Sequence, residues 1–424
     1  MTTSRQKFVK KLHWLVDHLK RQKNNYAVQL IDRTSAQLTG VLMKFQNPPL
    51  EHLISKKVEQ LGPASKKKKM MDEKSTPPAM VESLVSKPVQ EVVANSSNQV
   101  PERYIYKGED GAIDASFPLL EVPVIDILRL LNSSSDDDEL LKLRSALASC
   151  GCFQAINHGM ESSFLDKLQE IAKQFFVLPI EEKHKYSRTV EDLEGYGNDS
   201  VFSEHQILDW TDRLYLIVSP EDQRKLKFWP QNPECFREIL HDYTTKLAIL
   251  NELILKSMAK SLNLEENCFL NQYGERATMF ARFNFYPPCP RPDRTLGLKP
   301  HADGTAITFL LQDKEVEGLQ ILKDGQWFRV PIIPHALLIN VGDQAEIMSN
   351  GMFKSPVHRV VTNSERERIT LAVFCMPESN NEIEPVEGLI DQKRPRLYRS
   401  MKDYGNIYFQ NYQQGKRPID AAKL

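Results

Sequence analysis

Lys299-Pro300-His301-Ala302-Asp303-Gly304-Thr305 is the stretch on which the reading of this 424-residue chain turns. A His and an Asp two residues apart at a strand end can both face one cation. The third ligand has to come from elsewhere, and His358, 57 residues on in Ser355-Pro356-Val357-His358-Arg359-Val360, is the candidate. Two imidazoles and one carboxylate on one face leave three coordination positions open, the arrangement that suits Fe(II) oxygen chemistry. A structural zinc site would close its shell with four ligands, usually including Cys. Ten residues after His358 comes Arg368-Ile369-Thr370. Strand alternation turns residues 368 and 370 to the same face. A guanidinium fork beside a hydroxyl can grip a carboxylate, which Lys cannot do with the same planar geometry. The metal would then hold the other end of a dicarboxylic keto acid. Taken singly, each of these residues reads as an ordinary ion pair, structural His or turn Asp; their joint spacing is what makes a site.

Around this stretch, residues 276–377 carry short Val-, Ile-, Phe- and Leu-rich segments separated by turns. These are Thr278–Tyr286, Ala306–Leu311, Leu319–Leu322, Trp327–Val330, Ala336–Val341, His358–Val361 and Ile369–Phe374, with Asp324-Gly325 as a hairpin turn between two of them. Regular short strands of this kind predict a closed or sandwiched β fold. Residues 81–275 read as mainly helical. Val122–Ile127 and Gly151–Asn157 predict short strands, and Glu139–Ser149 and Ser162–Phe176 predict helices. Asn232 as N-cap and Pro233 at the first helical position open a helix that runs through Leu262, with Leu240, Tyr243, Leu247, Leu250, Leu253, Ile254 and Met258 on one buried face. The tail, 378–424, is polar but carries Tyr398, Tyr404, Tyr408, Phe409 and Tyr412, which predict a helix packed back on the body.

Residues 1–80 are different in kind. They hold 16 Lys/Arg against 6 Asp/Glu, whereas the whole chain has a formal net charge of −1. Phe8, Leu12, Leu15, Val16 and Leu19 fall at helical spacing among lysines, as in a basic amphipathic helix. A run at Lys66–Lys69 followed by Pro77-Pro78 reads as a flexible linker. The near-neutral total argues against a chain-wide nucleic-acid or membrane surface. No run approaches the roughly 20 apolar residues of a membrane span, and the N-terminus lacks the apolar core of a secretory signal. Six scattered cysteines without a CxxC pair suit a reducing compartment. The expectation is a cytoplasmic monomer, with nuclear or organellar targeting by the extension left open.

With these residues in view, the chain resembles the plant-type soluble 2-oxoglutarate- and Fe(II)-dependent dioxygenases, from about residue 81 to 415. The motifs are Pro88–Val92, Val100–Tyr104, Val122–Asp126, Gly151–Gly159, Asn284-Phe285-Tyr286-Pro287-Pro288-Cys289-Pro290, Leu296–Thr305, His358 and Arg368-Ile369-Thr370. Ser203–Trp210 resembles a segment of the specialised-metabolism branch, which includes senescence-related, codeine demethylase-like and lateral-branching enzymes. The resemblance implies an α+β fold: a double-stranded β-helix (jelly-roll) core with flanking helices, here with a basic, partly flexible N-terminal extension. It implies iron on His301, Asp303 and His358. It also implies 2-oxoglutarate contacts from Asn284 and Tyr286 beside Arg368 and Thr370, with Thr370 standing where the family more often has Ser. Tyr196 and Phe374 match positions that often face substrate, and Arg282 shares a strand face with Asn284. The implied reaction consumes O2 and 2-oxoglutarate, releases succinate and CO2, and hydroxylates or O-demethylates a small molecule, with ascorbate as reductant. Two alternatives stay open: a catalytically silent binder on the same fold, and an O2-consuming oxidase that does not use 2-oxoglutarate.

Overall fold

The computed structural model describes residues 86–95, 99–108, 113, 116–132, 138–199, 201, 206–413 and 416–424. The expected amphipathic helix and lysine run of the extension lie outside these residues, as do positions 203–205 of the segment ending at Trp210. Residues 79–424 form one compact unit. Its main elements, in chain order, are β1 (Val124–Asp126), α1 (Asp138–Ser149), β2 (Cys152–Ile156), α2 (Ser162–Val177), β3 (Gly195–Gly197), β4 (Asp212–Ser219) and α3 (Phe236–Ser261). Then follow β5 (Thr278–Tyr286), β6 (Leu296–His301), β7 (Ile307–Leu311), β8 (Leu319–Lys323), β9 (Gln326–Arg329), β10 (Leu337–Val341), β11 (His358–Val361), β12 (Arg368–Met376) and α4 (Tyr404–Gln413).

The strands form an eight-stranded sheet, ordered β1-β2-β10-β7-β12-β5-β4-β3, and a four-stranded sheet, ordered β6-β11-β8-β9. Together they make the jelly roll. An apolar cluster of Tyr286 and Leu338 from the larger sheet with Leu319, Ile321 and Val360 from the smaller one joins the two. Strand alternation gives the larger sheet two different faces. Ala281, Phe283, Leu214, Leu216, Leu371 and Val373 turn outward into a core shared with Leu143 and Leu147 of α1, Phe175 of α2 and Leu247 of α3. Burying each large apolar side chain there contributes about 1.5–3 kcal/mol. The alternate residues turn inward and line a cavity between the sheets. That inward face is where the chemistry is gathered.

The local expectations meet the structure in one place and differ in others. The hairpin at Asp324-Gly325 forms, with both residues at positive φ (50° and 78°) and Lys323 paired to Gln326. The long helix begins at Phe236, not at Pro233. Pro233 instead sits in the turn before it, where its carbonyl accepts from Phe236 N. The strand foreseen over Val122–Ile127 ends at Asp126, because the Asp126 side chain accepts from Leu128 N and Arg129 N and so starts a short helix, Ile127–Leu131. β3 and β4 were not expected in the mainly helical region. With β1 and β2 they bring four of the eight strands from before residue 276, so the larger sheet crosses that boundary. Among the described residues no helix is long and apolar enough to cross a membrane.

Candidate metal centre and cavity

β6 ends at His301 and β11 begins at His358, and the two are direct cross-strand partners. Their rings stand 4.3 Å apart, tilted by 54°. Asp303 follows β6 by two residues and places Oδ1 3.8 Å from His301 Nε2 and 3.7 Å from His358 Nε2. One donor atom from each of the three lies within 4.8 Å of the others. The outer ring nitrogens are already engaged. His301 Nδ1 is 2.8 Å from Lys299 O, and His358 Nδ1 is 3.1 Å from Pro356 O. A carbonyl can only accept, so each Nδ1 carries the proton and each Nε2 presents a lone pair inward. Burial, and then the neighbouring His358, hold the His301 imidazole well below its ordinary pKa, which keeps it neutral and ready to ligate. Among the described residues no fourth His, Cys, Asp or Glu joins this group, so the donor set fits a cation that keeps open positions.

The loop carrying Asp303 is braced from behind. Tyr408 OH donates to Ala302 O at 2.8 Å, Asp343 N donates to Asp303 O at 2.8 Å, and Gln344 Nε2 donates to Gly304 O at 2.8 Å. Asp343 is fully buried and takes hydrogen bonds from Tyr404 OH and Arg417 Nη1, both at 2.9 Å. A Cβ at Gly304 would sit 2.4 Å from the Tyr408 ring, so only glycine lets α4 come this close.

The inward face of β12, β5 and β4 reads as rows across the sheet. Arg368 pairs with Tyr286. Thr370 pairs with Asn284, which pairs with Arg213. Ala372 pairs with Arg282, which pairs with Tyr215. Phe374 pairs with Phe280, which pairs with Ile217. All of these line the cavity, of about 670 Å³, together with His301, Asp303 and His358. Arg368 is 3% exposed; its Nε donates to Val316 O at 3.0 Å, and its Cζ lies 5.3 Å over the Tyr286 ring. Among the described residues it has no carboxylate ion pair. A buried guanidinium without an anion is costly unless a ligand supplies one, and a diacid co-substrate fits that need. Asn284 Nδ2 donates to Thr370 Oγ1 at 3.3 Å. Arg282 reaches its neighbours on both sides, with Nε to Asn284 Oδ1 at 2.6 Å and both Nη groups to the Asp199 carboxylate at 3.0 and 2.9 Å.

Of the residues expected from the sequence, the structure brings His301, Asp303, His358, Arg368, Thr370, Asn284, Tyr286, Arg282 and Phe374 to one cavity. Tyr196 is the exception: it does not line the cavity. It pairs with Leu214, so it shares that residue's outward phase, while Gly195 and Gly197 take the phase of Tyr215 and Arg213. Its ring is 1% exposed, packed against Phe175 at 5.8 Å and Phe176 at 6.5 Å. Tyr196→Ala is therefore expected to lower stability by about 3–5 kcal/mol, as core aromatic truncations do, measured by denaturant unfolding. A change in substrate selectivity at unaltered stability would count against the assignment. Sequence reading missed Arg213, Tyr215 and Asp199. Alternation in Asp212–Ser219 was a usable signal for the first two; Asp199 carried none.

Comparison with known proteins gives a consistent result. The family model of the 2OG-Fe(II) oxygenase superfamily matches residues 265–377, and that of the non-haem dioxygenase in morphine synthesis N-terminal region matches 122–232. Lateral branching oxidoreductase 1 of Arabidopsis thaliana is 43% identical over 347 residues, covering 79% of this chain and 95% of that protein. Codeine O-demethylase of Papaver somniferum is 38% identical over 344 residues, covering 79% and 95%. The crystal structure of JOX2 in complex with 2OG, Fe and JA superposes with a TM-score of 0.72 at 34% identity, covering 80% of this chain and 97% of that one.

Proposed function

The chain belongs to the 2-oxoglutarate- and Fe(II)-dependent oxygenase superfamily, and from that premise we propose that His301, Asp303 and His358 hold its iron and that Arg368, with Thr370, Asn284 and Tyr286, holds its 2-oxoglutarate. The protein is a 2-oxoglutarate-dependent dioxygenase that oxidises a small molecule. One observation carries the site assignment: three neutral or anionic donors converge within 4.8 Å in the same cavity as a buried guanidinium that has no acid partner among the described residues.

With iron, 2-oxoglutarate and O2 bound, the centre supplies oxidative decarboxylation to succinate and CO2, coupled to oxidation of a substrate C–H bond. The chain's own residues do the positioning. His301 and His358 direct Nε2 lone pairs at the cation because their Nδ1 protons are tied to backbone carbonyls. Asp303 offsets one of its two charges. Arg368 grips the distal carboxylate through its Nη groups, since its Nε is already given to Val316 O. Tyr215, Phe280 and Phe374 form an apolar wall farther along the same strands, against which a flat substrate body can lie. Which C–H faces the iron is decided there, because positioning and not intrinsic reactivity selects the bond. The O-demethylase among the relatives supports an O-methyl carbon or a simple hydroxylation site on a specialised metabolite as the position oxidised.

The test is succinate release by the purified chain with Fe(II), 2-oxoglutarate, ascorbate and a fractionated metabolite extract. The expected result is succinate formation that rises with one fraction and matches consumption of one metabolite. Oxidation that proceeds equally well without 2-oxoglutarate would support the oxidase alternative. Binding without any succinate would support the silent binder.

A further inference from the structure

Arg213 is a charged residue that neither the iron nor the 2-oxoglutarate assignment uses. The row Thr370–Asn284–Arg213 puts it on the cavity face, one strand beyond the co-substrate pair. It is 2% exposed. Nε donates to Asp199 Oδ1 at 2.6 Å and Nη2 to Leu193 O at 3.0 Å, but buried Nη1 has no hydrogen-bond partner. Buried donors are almost always paired, because an unpaired one forfeits its hydration without return.

The local charge points the same way. Asp199 is the anion between two guanidiniums: Arg213 takes Oδ1, and Arg282 takes both oxygens. One carboxylate against two cations leaves a positive charge in a largely buried place. Burial, added to by the like charges of Arg282 and Arg188, brings the Arg213 guanidinium down to about 10 against the pull of Asp199. Asp192, another carboxylate on this wall, is already committed, accepting from Thr189 at 3.0 Å and lying 3.4 and 3.7 Å from Lys227 and Lys225. Beside this charge the surface is aromatic. Tyr215 lies 5.0 Å under Arg213 Cζ, with Phe280 5.4 Å and Phe374 6.2 Å from the Tyr215 ring.

We propose that the substrate is an organic acid whose carboxylate meets Arg213 Nη1 while its apolar body lies along Tyr215, Phe280 and Phe374. This rests on the reading that the cavity is the dioxygenase's substrate site. A carboxylate supplies both what Nη1 lacks and the charge that Asp199 alone does not balance. Arg213 thus acts as a specificity residue for the small-molecule oxidation, and a neutral analogue of the same shape binds less well.

The test uses matched probes: phenylacetate, 3-phenylpropanoate and 4-phenylbutanoate, each against its methyl ester. They are titrated calorimetrically under argon into the full chain loaded with Fe(II) and saturating 2-oxoglutarate. At least one acid is expected to bind about tenfold or more tighter than its ester. In Arg213→Met that ratio is expected to fall to within about twofold, with 2-oxoglutarate affinity retained. Equal affinities of acids and esters in the wild type, or no binding of any acid, overturn the proposal without need of a variant. So does a preference that survives Arg213→Met, or one that vanishes as 2-oxoglutarate is raised, which marks competition at the iron. A wild-type chain that fails to bind 2-oxoglutarate overturns the function proposed above; one that binds it and shows no acid preference overturns only this inference.

Discussion

His301→Ala is expected to lower Fe(II) affinity by more than about a hundredfold and to reduce succinate release to background. Even loss of a partner that merely orients a ligand costs about 10–100-fold in metal affinity, so loss of the ligand exceeds that range. The geometry explains why nothing nearby substitutes. Among the described residues the donor group consists of His301, Asp303 and His358 alone, and His358 cannot supply a second nitrogen because its Nδ1 proton is held by Pro356 O. Alanine also removes a ring that packs 4.3 Å from His358, so the remaining imidazole loses its lateral support. The measurement is iron retained after desalting, read beside circular dichroism to show that the fold is kept. Full iron content in a folded His301→Ala chain would remove His301 from the metal site and with it the facial arrangement.

Arg368→Lys is expected to raise the 2-oxoglutarate concentration needed for half-maximal turnover by about 30-fold or more, with iron content unchanged. Truncating one partner of a buried, hydrogen-bonded charge pair costs about 2–5 kcal/mol, and each 1.4 kcal/mol is tenfold. Lysine keeps the charge but not the fork. In this site the difference is sharp, because Arg368 spends Nε on Val316 O and holds Cζ 5.3 Å from the Tyr286 ring centroid, with its Nη groups left for the ligand. A single ammonium cannot serve the carbonyl, the ring and a carboxylate together. The check is succinate release against 2-oxoglutarate concentration, with bound iron measured on the same samples. An unchanged co-substrate dependence would count against the carboxylate clamp.

Legibility in the sequence followed locality. His301, Asp303 and His358 were readable because metal chemistry dictates residue types and a strand end dictates the two-residue step. Arg368 and Thr370 were readable because alternation fixes their common face. Asn284 and Tyr286 came with the motif around them, and they are the cross-strand partners of Thr370 and Arg368. Tyr196 misses the cavity by the same alternation that brings Arg368 and Thr370 into it. A one-residue phase decides which side of a sheet is seen, and in β3 the glycines hold the cavity phase. Arg213 and Asp199 became meaningful only together, fourteen residues apart in sequence and joined by folding at 2.6 Å. The helix start at Phe236 was misplaced because Asn-Pro reads equally well as a cap or as the turn before one.

The brace behind the iron loop has a consequence for how the protein matures. Asp303 is held through Asp343, which depends on Tyr404 and Arg417, and Ala302 is held directly by Tyr408. These tyrosines and this arginine follow every barrel strand in the chain. During synthesis the ligands therefore leave the ribosome before the residues that steady them. A nascent chain carries its histidines and aspartate on a loop not yet fastened. By the same ordering, a stop codon ahead of residue 404 would spare His301, Asp303 and His358 and still leave the loop that carries Asp303 without its support.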